Sequence, residues 1–210
     1  PHQGALMSWG GAKGEPGSPT SADASGTGNT GAAVVAKLQQ FAAPAAKGVN
    51  VHAAIASDNA SAVTTSMTNP AIPRSLQVVF HSTWDGGDVT IVGTDQFDQA
   101  ATETIADTPG STVEGSKIFK TVTSINQQVV GAGGSAVATV QTGPKLGLLT
   151  AMNAAFGMLA CNDVLEVAPT WDATYHAVTP TTAPNGSRNF VAVFPVSHTH
   201  TGPSHTHTLS

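Results

Sequence analysis

Charge is what this sequence has least of. Asp, Glu, Lys and Arg together make up 10% of its 210 residues, against roughly 25% in an ordinary soluble domain. The net charge of -5 leaves no basic surplus. Without a surplus of Lys and Arg to displace counterions from phosphates, nucleic acid is not expected as a partner. A single cysteine, Cys161, excludes any disulfide within the chain, and its apolar setting "GMLACNDVLEV" reads as a small buried hydrophobe and not a reactive thiol. No run approaches the roughly 20 apolar residues that a membrane-spanning helix needs. The opening "PHQGALMSWGGAKGEPGS" has no apolar core behind a basic start, so the expectation is a soluble protein made in the cytosol, with no membrane partner.

Gly, Ala, Ser, Thr and Val fill the space that charge leaves, a composition suited to short strands and tight turns. Residues 1–31 are Gly, Pro, Ser, Thr and Ala around isolated Leu6, Met7 and Trp9. Such a segment buries too little apolar surface to offset its ordering entropy, so it reads as a docking arm that lies along another molecule, with those three residues as anchors. In "NTGAAVVAKLQQFAAPAAKG", Val34, Leu38 and Phe41 stand at i, i+4 and i+7 before Pro44. That spacing predicts a short helix at about 31–42 whose apolar stripe packs or docks.

From Val49 the texture changes to short β-branched runs cut by turn signals such as "SDNAS", "NPAIPR", "DTPGS", "TGPK" and "APNGSR". This is the pattern of an antiparallel β-sandwich or jelly-roll-like barrel. Strands are expected near 49–56, 61–68, 74–83, 88–94, 101–107, 117–125, 135–141, 163–168, 172–179 and 188–196. "WDGGD" at 84–88 reads as the turn of a hairpin. In "RSLQVVF" the alternation puts Leu76, Val78 and Phe80 on one face. Residues 146–160 show no clear period, and both a loop and a short helix stay open. The division expected is a docking arm at 1–48, a β domain at 49–196 and a His-rich tail at 197–210.

Few residues look equipped for chemistry. "GTGNTG" at 26–31 has dinucleotide-loop spacing but no strand before it, so it reads as a linker. Asp85, Asp88, Asp95 and Asp98 lie close in sequence but lack the alternating ligands of a calcium loop, and turn formation explains them better. The strongest local signal is "HTHTGPSHTHT". In extended backbone each His-x-His pair projects both imidazoles from one face, so His198, His200, His205 and His207 could close around a structural Zn, Fe or Ni ion. The plain alternative is a polar, solvated tail. No carboxylate stands in that stretch, which makes a metal-dependent hydrolase the weakest reading.

The phrases "NPAIPRSLQVVF" (69–80), "WDGGDVTIVGTDQFDQAATETI" (84–105), "KIFKTVTSI" (117–125), "TGPKLGLL" (142–149) and "WDATYHAVTPTTAPNGSRNFVAVF" (171–194) resemble a β-rich family of tailed-phage virion proteins. The resemblance covers about two thirds of the chain and rests mainly on strand and turn grammar. It implies a non-enzymatic structural protein on the outer surface of the phage head, a decoration or cement protein. Its partners would be the major capsid protein and copies of itself, with the homotrimer expected. The leading segment, through Leu6, Met7, Trp9, Val34, Leu38 and Phe41, would make the contacts. The His-rich end is similar to the His-x-His tips of trimeric phage fibres, which implies an alternative: a tail-fibre, baseplate or other receptor-binding component locked by metal.

Overall fold

The structure, a computed structural model, describes residues 33–133 and 136–198. Every regular element among them is a β-strand, and every pairing is antiparallel. In chain order these are β1 (Ala33–Phe41), β2 (Asn50–Ala56), β3 (Arg74–Phe80), β4 (Val89–Thr94), β5 (Ala100–Ile105), β6 (Thr112–Phe119) and β7 (Thr121–Gln127). There follow β8 (Val137–Gly147), β9 (Met158–Cys161), β10 (Val164–Leu165), β11 (Thr170–Asp172), β12 (Ala177–Thr179) and β13 (Phe190–His198).

A central sheet runs β11-β12-β8-β3-β6, with β2 beside the first half of β8. A small sheet, β5-β4-β7, pairs separately. Alternation then decides which side chains meet, because successive residues of a strand point to opposite faces. From the central sheet come Val51, Ile55, Leu76, Val78, Phe80 and Val140; from the small sheet come Val89, Ile91, Ala101, Ile105, Val122 and Ile125. They form one closed apolar layer, and most are fully buried. Gly93 is required in β4 because a Cβ there would collide with the Thr121 carbonyl oxygen of β7, at the point where the register of that pair shifts.

A third sheet, β1-β13-β9-β10, builds a second core. Phe41, Leu159, Phe190, Ala192 and Phe194 pack there with Leu146, Leu148, Met152 and Val178. Strand β8 thus serves both cores, the first through Ala138 and Val140 and the second through Leu146. The Gln39 side chain bridges β1 to the end of β8: its Nε2 donates to the Gly147 carbonyl at 3.1 Å and its Oε1 accepts from the Leu149 N–H at 2.7 Å. At the far end of the third sheet, Ala33 stands opposite His198.

The antiparallel sandwich is as expected, and several local readings change. The helix expected at 31–42 is corrected to a strand over Ala33–Phe41, in register with β13 along its whole length. The i, i+4, i+7 spacing is outweighed by a complete ladder of backbone hydrogen bonds and by β-branched Val34 and Val35, since helix propensity is a weak term beside tertiary pairing. Residues 33–41 therefore belong to the third sheet. Second, "WDGGD" is not a hairpin turn: β3 pairs with β6 and β8, whereas β4 pairs with β5 and β7. The segment crosses between sheets, and Trp84 seals the crossing. Its ring lies 5.8 Å from that of Phe80, and its Nε1 donates to the Gly87 carbonyl at 2.8 Å. Third, the strand expected at 61–68 is reduced to a single bridge, Val63 with Ile125; further, the turn expected at "TGPK" lies within β8, the strand expected at 117–125 divides into β6 and β7, and 172–179 turns from β11 into β12.

Candidate functional site

Two surfaces stand out among the described residues. The first is the outer face of the third sheet. Register places Leu38, Val193 and Met158 in one row across it and Gln40, Val191, Ala160 and Leu165 in the next, while Ala36 lies opposite Pro195. No charged side chain stands in these rows. Leu38 is 52% exposed, Met158 42% and Leu165 64%, and Phe156 beside them is 59% exposed. A groove of about 350 Å³ runs through this face, lined by Ala36, Phe156, Met158, Val193 and Pro195. Scattered exposed hydrophobes are ordinary, but a contiguous apolar face marks an interaction surface.

The second surface is a polar cleft of about 290 Å³ between two tight turns. The turn from β4 to β5 is set by Asp95, whose Oδ1 accepts the Phe97 and Gln99 N–H groups at 2.8 and 2.9 Å. Asp98 completes it in the left-handed region, at φ 61°. The turn from β11 to β12 is set by Asp172, whose Oδ1 accepts the Thr174 and Tyr175 N–H groups, and it closes with His176 at φ 48°. Gln96 is buried and ties the two turns together, its Nε2 donating to the Tyr175 carbonyl at 2.9 Å. The Phe97 and His176 rings meet edge to face, 5.4 Å apart. The floor includes Ala101 and Ile118, and Lys117 stands at the wall with Nζ donating to the Thr102 carbonyl.

Electrostatics hold this cleft still. Burial pushes the Asp172 carboxyl up, but the Tyr175 N–H, the Lys145 ammonium and the Thr174 N–H outweigh it and hold the group below the usual carboxylate range. Lys145 Nζ lies 3.1 Å from Asp172 Oδ2 and 5.8 Å from the centre of the Tyr175 ring. His176 Nδ1 accepts the Met152 N–H at 3.2 Å, so the neutral ring carries its proton on Nε2. The carboxylates and the imidazole thus already serve the turns, an arrangement suited to holding a ligand in a preformed site.

The residues singled out from sequence fall elsewhere. Leu6, Met7, Trp9, His200, His205 and His207 lie outside the described residues, as does "GTGNTG". Val34 belongs to β1, and the backbone of His198 ends β13. Leu38 is on the exposed apolar face of the third sheet. Phe41, expected as a partner contact, is corrected to a core residue at 3% exposure, because alternation along β1 turns it inward. The four Asp residues serve the chain itself. Asp85 Oδ2 accepts the Ala132 N–H, Asp88 Oδ1 accepts the Asp107 N–H, Asp95 holds its turn, and Asp98 pairs with Lys120. Cys161 is partly buried against the second core, and burial together with the Glu166 charge pushes its thiol up. Sequence reasoning missed Gln96, Tyr175 and His176. Their signal was the paired turn segments "DQFDQ" and "WDATYH", each opened or held by an Asp that caps backbone N–H groups.

The sheets define an antiparallel all-β protein of sandwich type. No family model matches the chain, and neither a curated protein nor a solved structure matches it.

Proposed function

We propose that this chain is a structural protein of a tailed-phage virion, a head decoration protein that binds the major capsid protein and copies of itself on the outer surface of the shell. The observation that supports this most is the apolar outer face of the third sheet. Its rows of Leu38, Val193 and Met158 present surface that an isolated globule gains nothing by exposing. The edge strand of that face, β1, is also the strand that follows residues 1–32 in the sequence, the segment proposed as the docking arm. A protein repeated on a symmetric shell converts modest contacts into avidity, and threefold closure satisfies a flat sheet edge.

The test is a paired one on purified heads. Leu38→Asp/Met158→Asp changes only half-exposed side chains, so its melting temperature should match the parent while its co-sedimentation with heads falls at least about tenfold, the effect of losing roughly 1.4 kcal/mol. Deleting residues 1–31 should abolish co-sedimentation likewise. Undiminished binding by both variants rejects the reading.

A further inference from the structure

We propose that the cleft between the β4–β5 and β11–β12 turns is a binding site for a neutral pyranose ring, such as a terminal sugar of a glycan. The inference is independent of the virion reading, because it uses a different surface and different residues.

Charge narrows the ligand first. Asp95 and Lys117 both line the cleft, so an anion such as phosphate meets a carboxylate and a cation meets an ammonium. A neutral ligand avoids both penalties. Hydrogen-bonding capacity narrows it further. Asp95 Oδ1 and Gln96 Nε2 are committed to the chain, whereas Asp95 Oδ2, Gln96 Oε1, the Tyr175 hydroxyl and His176 Nε2 make no hydrogen bond among the described residues. These four residues line the cleft and between them offer both acceptors and donors, which is what a ring bearing several hydroxyls requires. Ala101, Ile118 and the Phe97 ring supply apolar surface for the ring's C–H face.

Size and rigidity agree. At about 290 Å³ the cleft sits at the small end of ligand sites, which run roughly 300–1,000 Å³, so it holds one ring and leaves the rest of a glycan in solvent. Both walls are pinned before any ligand arrives, by Asp95 and Asp172 within the turns and by Gln96 between them. Little ordering entropy is then lost on binding. A single-ring site of this kind has an expected Kd of about 1 mM, and affinity on a particle rises through repetition.

Saturation-transfer NMR on the full chain tests this, with the methyl glycosides of glucose, galactose, mannose and N-acetylglucosamine, and with inorganic phosphate as the charged control. At least one glycoside should receive saturation on its ring protons, and its signal should weaken by roughly 3- to 10-fold in Tyr175→Phe, which removes one hydroxyl. Leu38→Asp/Met158→Asp, which changes the outer face of the third sheet and no residue lining the cleft, should retain neutral-sugar binding within about threefold. No transfer to any of the four glycosides overturns the proposal. So does transfer that is unchanged in both Tyr175→Phe and Gln96→Ala, or phosphate binding in preference to sugar.

Discussion

Arg74 is buried, and among the described residues no carboxylate pairs with it. Its Nη1 donates to the Ala45 carbonyl and its Nη2 to the Gly143 carbonyl, both at 2.6 Å. Burial pushes the guanidinium down to about 10, so it stays charged at neutral pH. The fork shape of the group is what lets one side chain satisfy two carbonyls that lie far apart in the chain. Arg74→Lys keeps the charge but offers a single nitrogen, and the loss expected is about 1–3 kcal/mol of stability, read as a lower urea midpoint at unchanged slope. Asp172 gives a pH signature of opposite kind. Its folded carboxyl titrates below its unfolded value of about 3.9, so its contribution is fully present above that value and is lost as pH falls through the folded one. Asp172→Asn should therefore flatten the acid limb of stability below about pH 4, and a variant whose acid limb superimposes on the parent's contradicts the assignment.

At the scale of elements, β1 separates two ways of reading the same residues. A helix puts Leu38 and Phe41 on one face, whereas the strand puts them on opposite faces. Phe41→Ala should cost about 3–5 kcal/mol, as truncating a buried aromatic does, while Leu38→Ala should change stability by less than about 0.5 kcal/mol. Equal losses at both positions would restore the helix. Much of the rest was legible: β2, β3, β4, β5 and β13 begin and end close to where β-branched alternation and turn residues put them. What could not be read was pairing. "WDGGD" has the residues of a hairpin turn, yet β3 pairs with β6 and β8, tens of residues away, and Trp84 is buried where the chain crosses over. The cleft was illegible for the same reason, since Gln96 and Tyr175 meet across 79 positions and neither turn carries a motif for the site by itself.

Taken together, the described residues form two cores on one spine. Because β8 places Ala138 and Val140 in the first and Leu146 in the second, neither core can open without loosening a strand that the other needs. Thermal unfolding of the purified chain should accordingly give one calorimetric transition whose van't Hoff and calorimetric enthalpies agree. Two resolved peaks would mean that the cores are separate folding units. The same spine bears on any role under load, because force applied at the third sheet reaches β8 through the packing of the second core and passes along β8 to the first.

Ala33 and His198 are neighbours on adjacent strands, so their backbones stand within a strand spacing of about 5 Å. β1 therefore begins where β13 ends. A fluorophore pair attached at these two positions would report proximity without any help from the fold's interior.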